Sequence, residues 1–128
     1  MKTLHILHLE DDGPLRDVLK VALQLRDPEC QVHQFIGSDD ALSYIERNIG
    51  DIDLYVLDIR VPGKFNGVEV AQRVREMKSE AVIVITSAYR QPERSLLTEL
   101  DCQWFPKPWH IMETSQRIVK MAKDHKTA

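Results

Sequence analysis

Short apolar runs alternate five times with segments of helical periodicity in this chain, and no other feature limits its folds as strongly. Each run is brief and rich in branched or aromatic residues, as buried strands are. The first, third and fourth are the most continuously apolar, which is typical of central strands covered on both faces. The runs span residues 4–9, 31–35, 54–57, 81–85 and 103–105.

Alternation of strands and helices predicts parallel strands joined by right-handed crossovers. Five such units in 128 residues match an α/β fold of the flavodoxin-like (βα)5 type. In that fold, a doubly wound parallel sheet of five strands has the order 2-1-3-4-5. We therefore expect one domain over residues 1–128, with a core at about 3–123 and a polar C-terminal tail at 124–128.

Capping signals predict where the intervening helices begin. Asp12 precedes an early proline and is assigned as a helix N-cap in preference to a metal ligand. Ser38 is predicted to cap the second helix and Pro92 to start the fourth. The last helix is expected from about His110, and its basic final turn suits the negative end of a helix dipole.

Composition narrows the range of functions. The net charge is −3 and no run of Lys or Arg occurs, which argues against direct nucleic-acid binding. The longest purely apolar stretch, residues 81–85, is far shorter than the ~20 residues that a membrane-spanning helix needs. Cys30 and Cys102 belong to no metal-spaced motif. Since the N-terminus carries no secretory signal, a cytoplasmic location is expected.

Carboxylates end two of the runs that the strand order makes neighbours. Asp58 follows the third run, and Glu10 and Asp11 follow the first. In an open parallel sheet, the carboxyl ends of the strands form the ligand-binding edge. Partly buried carboxylates at ~4 Å repel each other by roughly 4 kcal/mol per pair. A divalent cation is therefore expected among them, and hard oxygen ligands favour Mg²⁺, with Mn²⁺ as a substitute.

Two further residues complete a site suited to phosphoryl transfer. Thr86 ends the fourth run, and Lys107 follows the fifth. A migrating phosphoryl group spreads its charge over three oxygens, which a metal ion, an ammonium and a hydroxyl can neutralise together. In this interpretation Asp58 is the nucleophile and becomes an aspartyl phosphate.

The chain resembles the receiver domains of two-component response regulators across essentially its whole length. Each matching residue alone is a weak signal, but their order and their placement on the strands are highly specific. The resemblance implies that the third-strand aspartate accepts a phosphoryl group from a histidine kinase or a phosphotransfer protein. The matching residues are Glu10, Asp11, Asp58, Pro62, Thr86, Lys107 and Pro108.

The resemblance also implies how the cation is held and how the signal leaves the domain. Mg²⁺ would be bound by Asp11, Asp58 and the backbone carbonyl of Arg60, with Glu10 acting directly or through water. The implied output is altered binding by the face of the fourth helix, fifth strand and fifth helix. Its target would be a downstream protein or a fused output domain, and a homodimer is a further option. The implied chemistry is limited to the domain's own phosphorylation and dephosphorylation.

The remaining site residues take their roles from the same resemblance. Thr86 and Lys107 would contact the phosphoryl oxygens. Trp104, three residues before Lys107, occupies the place of the family's switch aromatic and would move inward as Thr86 is drawn to the phosphate. The bond between Lys107 and Pro108 is commonly cis in this family.

The sequence departs from the family pattern at three places. The loop 63–67 is one residue longer than usual, and residues 100–102 replace the family's Gly-Ala before the fifth strand. Arg60 lies two residues after Asp58, where side chains overhang the phosphoryl group. We hypothesise that Arg60 slows hydrolysis by pairing with the phosphate or by blocking water. Ala88 is the second position expected to modulate the site.

Two other functions compete with this interpretation. A phosphorylation-independent interaction module would keep the fold, but the intact acidic pair and the lysine argue against it. A Mg²⁺-dependent aspartyl phosphatase usually carries a second aspartate where Arg60 stands, so that reading is disfavoured. For Trp109, packing against the fifth helix and an exposed contact with a partner are both open.

Overall fold

The computed structural model describes residues 3–127, in which every strand is followed by one helix. The elements in chain order are β1 (His5–Leu9), α1 (Gly13–Arg26), β2 (Gln31–Phe35), α2 (Ser38–Asn48), β3 (Leu54–Asp58), α3 (Gly67–Glu76), β4 (Val82–Ser87), α4 (Arg94–Leu100), β5 (Cys102–Pro106) and α5 (Ile111–Thr127). All neighbouring strands are parallel, and the sheet order is β2-β1-β3-β4-β5. The predicted fold class and strand order are therefore confirmed.

Side chains on the two faces of the sheet form two cores. Successive residues of a strand point to opposite faces, so the residues of β4 alternate between the cores. We call them the α3-side core, which contains Ile83, Ile85 and Val70, and the α5-side core, which contains Val84 and Ile118. Because helices cover both faces, the central strands are apolar for most of their length.

Two helix caps were predicted from the sequence, and one of them is correct. Asp12 caps α1, since its carboxylate accepts a hydrogen bond of 3.1 Å from the backbone N–H of Leu15. The prediction for α2 is wrong, because Gly37 is the N-cap and Ser38 is the first helical residue. The Ser38 hydroxyl is instead used by a different loop, where it accepts from the N–H of Phe65.

The last two helices also differ slightly from the predicted bounds. The helix α4 begins at Arg94, two residues after Pro92. Residues 124–127, expected as a polar tail, continue α5. On the exposed side of this helix, Lys120 forms an ion pair of 2.8 Å with Asp124, one turn later. Ala128 lies outside the described residues. Within residues 3–127, no helix is both long and apolar enough to cross a membrane.

Ser38 anchors the long loop that follows β3. Its backbone N–H donates to the carbonyl oxygen of Pro62 at 2.9 Å, and its hydroxyl accepts from Phe65 at 3.1 Å. Gly63 has φ of +111°, a conformation that residues with a Cβ rarely adopt. Asn66 then caps α3 in a reciprocal capping box. The additional residue is thus accommodated without disturbing the start of α3.

The turn between α4 and β5 is closed by a left-handed residue that is not glycine. Asp101 has φ of 53°, and its N–H donates to the carbonyl oxygens of Leu97 and Thr98. The side chain of Arg75, at the end of α3, donates from Nε to the Leu100 carbonyl at 2.7 Å. This turn is the place where the sequence departs from the family's Gly-Ala.

Candidate functional site

The carboxyl ends of β1 and β3 bring acidic side chains together at one edge of the sheet. Leu9 is paired with Leu57, so the residues that follow them, Glu10 and Asp58, are neighbours. Carboxylate oxygens of Glu10, Asp11 and Asp58 lie within 4.8 Å of one another. Glu10 and Asp58 are buried, whereas Asp11 is exposed. The acidic cluster is therefore open to solvent at Asp11.

A lysine from the loop after β5 faces the acidic cluster. Nζ of Lys107 donates hydrogen bonds to Oε1 of Glu10 and to Oδ2 of Asp58, the second at 3.1 Å. The Lys107 side chain is only 14% exposed, so solvent screens these ion pairs weakly. The peptide bond between Lys107 and Pro108 is cis. One ammonium does not balance three carboxylates.

The pKa values of Glu10 and Lys107 are both raised, for different reasons. Burial raises the pKa of Glu10 to about 7; the hydrogen bond from Lys107 opposes this shift and the charge of Asp58 adds to it. Burial lowers the pKa of Lys107, but hydrogen bonds and charges from the two carboxylates outweigh burial and raise it overall. Hard oxygen ligands with uncompensated charge fit a divalent cation such as Mg²⁺. These three acidic residues therefore fit the expected ion.

The hydroxyl of Thr86 lies on the strand next to Asp58. The two residues are paired in the parallel ladder between β3 and β4, and Thr86 is fully buried. Oγ1 of Thr86 accepts a hydrogen bond of 3.0 Å from Nε1 of Trp109. Trp109 is half-buried and packs against the α5-side core, which supports the packing interpretation of this residue. Its bond to Thr86 was not foreseen from the sequence.

Trp104, the expected switch aromatic, packs on the other side of the sheet. It is paired with Ile85 and lies half-buried against the α3-side core. Trp104 and Trp109 thus contact opposite cores, and the hydrogen bond to Thr86 comes from Trp109. The switch function of Trp104 stays a prediction.

The two positions expected to modulate the site lie at its exposed rim. The guanidinium of Arg60 stands over the ring of Tyr89, with Cζ 3.9 Å from the ring centroid. Ala88 is exposed and lines a surface groove together with Lys107 and Trp109. The cation–π contact holds the Arg60 side chain beside the loop after β4. The metal-binding role of the Arg60 carbonyl and the modulating roles stay predictions.

Sequence reasoning did not identify the hydrogen-bond partners in a layer of polar residues behind the acidic cluster. Arg16 donates to the carbonyl oxygen of Glu10 at 2.8 Å, and Gln34 donates to the carbonyl oxygen of Arg16 at 2.8 Å. Gln34 also pairs with Nδ1 of the buried His8 at 3.1 Å. Burial, followed by the charges of Lys107 and Arg16, lowers the pKa of His8 to about 3.

One signal in the sequence could have revealed part of this layer. His8 and Gln34 are polar residues at the fourth position of β1 and β2, and the parallel register pairs them directly. A polar residue inside an apolar strand requires a hydrogen-bond partner, and a neighbouring strand supplies one. The role of Arg16 had no such signal, because its partner is a backbone carbonyl.

Comparison with known proteins identifies the chain's relatives. The sequence model of the family described as "Response regulator receiver domain" matches residues 6–118. The chain is 34% identical over 99 residues to the cyclic di-GMP phosphodiesterase response regulator RpfG of Xanthomonas campestris pv. campestris (strain 8004), covering 75% of this chain and 25% of that protein. It is 29% identical over 118 residues to the aerobic respiration control protein ArcA of Escherichia coli (strain K12), covering 91% of this chain and 48% of that protein.

Solved structures with the same fold include two receiver domains. A CheY-like response regulator receiver domain protein from Methanospirillum hungatei JF-1 superposes with a TM-score of 0.83 at 19% identity, covering 98% of both chains. The signal receiver domain of a putative Luxo repressor protein from Vibrio parahaemolyticus has a TM-score of 0.81 at 18% identity, covering 98% of this chain and 95% of its own. The chain spans only a quarter to a half of the two sequence relatives named above.

Proposed function

This chain belongs to the response regulator receiver domain family of two-component systems, and from that premise we propose that Asp58 is its phosphoacceptor. The donor is the phosphohistidine of a histidine kinase or of a phosphotransfer protein. The observation that carries the proposal is the contact of Lys107 with both Asp58 and Glu10 at the carboxylate cluster. An ammonium and carboxylates at one strand-end pocket supply the charges that phosphoryl transfer uses.

The proposed reaction moves one phosphoryl group between two side chains. A carboxylate oxygen of Asp58 attacks phosphorus, the bond from phosphorus to the histidine nitrogen breaks, and that nitrogen keeps the electron pair. The released imidazole takes a proton from solvent. Water later attacks the aspartyl phosphate, which returns the carboxylate of Asp58 and releases inorganic phosphate. The domain thus catalyses only its own phosphorylation and dephosphorylation.

We assign each residue of the pocket a role in the proposed reaction. Asp11, Asp58 and the Arg60 carbonyl would hold Mg²⁺ or Mn²⁺, with Glu10 acting directly or through water, and the ion would supply positive charge to the phosphoryl oxygens. The Lys107 ammonium neutralises charge on the phosphoryl oxygens from the other side. Because three carboxylates face one ammonium, the pocket favours added positive charge before any phosphate arrives.

The proposed output is a change in protein binding. Phosphorylation adds roughly two negative charges next to Thr86 and biases an equilibrium between two conformations. The responding surface is the face of α4, β5 and α5, where the half-buried Trp104 lies beside Ile85. The partner would be a downstream protein, a fused output domain or a second copy of the chain.

Acetyl phosphate and intact-mass measurement test the proposal directly. In the presence of Mg²⁺, the protein should gain an adduct of about 80 Da, the mass of HPO₃ on a carboxylate nucleophile. The adduct should be absent in Asp58→Asn and after chelation of the metal. Absence of the adduct from the wild-type protein, or its persistence in Asp58→Asn, would refute the phosphoacceptor role.

A matched control and a second assay separate the alternatives. Asp12→Asn removes an exposed carboxylate near the same edge while keeping a side chain that can cap α1, so its adduct should persist. A folded wild-type protein that never gains the adduct would be a phosphorylation-independent interaction module. Steady hydrolysis of a generic phosphoester would instead indicate a phosphatase.

A further inference from the structure

The hydroxyl of Thr86 has one side-chain partner within the described residues, and it is the second tryptophan. Nε1 of Trp109 lies 3.0 Å from Oγ1 of Thr86. The same N–H also approaches the carbonyl oxygen of Phe105 at 3.4 Å. The indole N–H is therefore shared between the Thr86 hydroxyl and the main chain of β5.

The direction of this hydrogen bond fixes what the hydroxyl can do next. An indole N–H can only donate, whereas a threonine hydroxyl can accept and donate at once. With Trp109 bonded to one lone pair, Thr86 acts as the acceptor and its own proton lies in one of the remaining directions. Thr86 is paired with Asp58 in the ladder, so a phosphoryl group on Asp58 would form beside Thr86, where its oxygens can accept that proton.

We propose that Trp109 is a positioning residue for phosphorylation, because its indole N–H holds Thr86 Oγ1 with the hydroxyl proton free for the phosphoryl group. The inference rests on the proposed phosphoacceptor role of Asp58 and adds to it a residue outside the family's matching set. A hydroxyl fixed before the reaction loses less rotational freedom when it binds the phosphoryl oxygens. Trp109 does not contact the phosphoryl group in this arrangement and acts through Thr86.

The substitution Trp109→Phe tests the hydrogen bond, because phenylalanine keeps an aromatic ring against the α5-side core and removes the N–H. The measured quantity is the rate of adduct formation with acetyl phosphate and Mg²⁺. We expect the rate to fall about two- to tenfold, the factor that one net hydrogen bond corresponds to. An unchanged or higher rate would overturn the proposal, since a higher rate means that the bond restrains Thr86.

A double-mutant cycle distinguishes positioning from a general loss of packing. In Thr86→Val the hydroxyl is absent, so adding Trp109→Phe should change the rate no further. In Thr86→Ser the hydroxyl remains, and Trp109→Phe should again slow the reaction. An equal effect of Trp109→Phe in all three backgrounds would show that Trp109 has a structural role only.

A spectroscopic readout is independent of phosphorylation. The indole N–H resonance of Trp109, assigned as the one that remains when the only other tryptophan is replaced in Trp104→Phe, should shift in Thr86→Val and exchange faster with solvent. An unchanged resonance would overturn the proposal even if Trp109→Phe does not fold. If the wild-type protein takes no phosphoryl group, the phosphoacceptor role fails, whereas normal phosphorylation of Trp109→Phe defeats the positioning role alone.

Discussion

Gly67 lies so close to Asp58 that a Cβ added at position 67 would stand 2.2 Å from the Asp58 carbonyl oxygen. The Gly67 N–H also donates to the carbonyl oxygen of Ile59 at 3.0 Å, so the first turn of α3 rests on the end of β3. The main chain that carries the candidate phosphoacceptor is therefore supported by a residue without a side chain. Any other residue at position 67 would displace either α3 or Asp58.

Gly67→Ala is expected to destabilise the fold strongly, because the clashing atoms belong to the backbone and have no freedom to rotate away. We expect a loss of about 2–4 kcal/mol in the free energy of unfolding, at the upper end for point substitutions. Gly50→Ala is the matched control, since nothing lies within 4 Å of a Cβ there. Denaturant unfolding of both variants checks this; equal stabilities would contradict it.

Lys107→Met should lower stability in the absence of divalent cations. The substitution keeps the length of the side chain but leaves Glu10 and Asp58 buried without their ammonium. A loss of about 1–3 kcal/mol is expected from the unpaired carboxylates. Millimolar Mg²⁺ should restore part of it, because the ion supplies positive charge to the same oxygens. Thermal unfolding with and without Mg²⁺ measures this, and a Met variant as stable as wild type without Mg²⁺ would contradict the expectation.

Arg75, in the last turn of α3, is expected to contribute strongly to stability. Its guanidinium donates to four backbone carbonyls, at the end of α4 and before β4, at distances of 2.7–3.1 Å. Arg75→Lys keeps the charge but loses the forked geometry, so we expect a loss of about 1–3 kcal/mol. Arg73→Lys is the control, since its ion pair with Glu76 spans 3.9 Å on the surface. Similar unfolding midpoints for the two variants would argue against this role.

Arg60→Ala should shorten the lifetime of the aspartyl phosphate. The Tyr89 ring holds the guanidinium at the rim of the site, where it can pair with the phosphate or exclude water. Arg60 is exposed, so an ion pair between its guanidinium and the phosphate would be a surface ion pair. We therefore expect the lifetime of the aspartyl phosphate to fall about two- to fivefold. Tyr89→Phe retains the ring and should keep the wild-type lifetime, whereas Tyr89→Ala should shorten it. Decay of the 80 Da adduct, followed by mass measurement, tests this hypothesis; an unchanged lifetime in Arg60→Ala would refute it.

Stability should fall at alkaline pH through the buried thiol of Cys102. Burial raises its pKa to about 11, with Arg75 opposing the shift and Asp101 adding to it. Between the unfolded value of 9.0 and this folded value, the unfolded chain releases a proton that the folded protein retains. The free energy of unfolding therefore decreases as pH rises, by at most about 1.4 kcal/mol per pH unit. Cys102→Ala should show a shallower pH dependence over that range, and parallel curves would contradict the assignment.

Local patterns were sufficient to predict most of the fold and the acidic part of the site. Apolar runs of strand length and intervening helical stripes are set by neighbouring residues, so the five units could be read from spacing alone. The strand order then placed Glu10 beside Asp58, and the structure has their carboxylates together. Thr86 and Lys107 reach the same edge because they end β4 and follow β5.

The partners of particular polar groups could not be predicted in this way. Serine commonly caps helices, yet the Ser38 hydroxyl accepts a hydrogen bond from the N–H of Phe65, 27 residues later in the chain. Trp109 had two open roles, and the bond to Thr86 depends on which way the chain turns after Pro108. Arg75 gave no sequence signal, because all four of its acceptors are backbone carbonyls.

Periodicity and position along a strand were enough to predict the α/β fold, the strand order and the charged groups at the carboxyl edge of the sheet. Only the folded arrangement shows that the Thr86 hydroxyl accepts a hydrogen bond from Trp109 while Trp104 packs on the other face of the sheet. A hydrogen bond is short and directional, so its partners are fixed only when the helices and loops pack on the sheet.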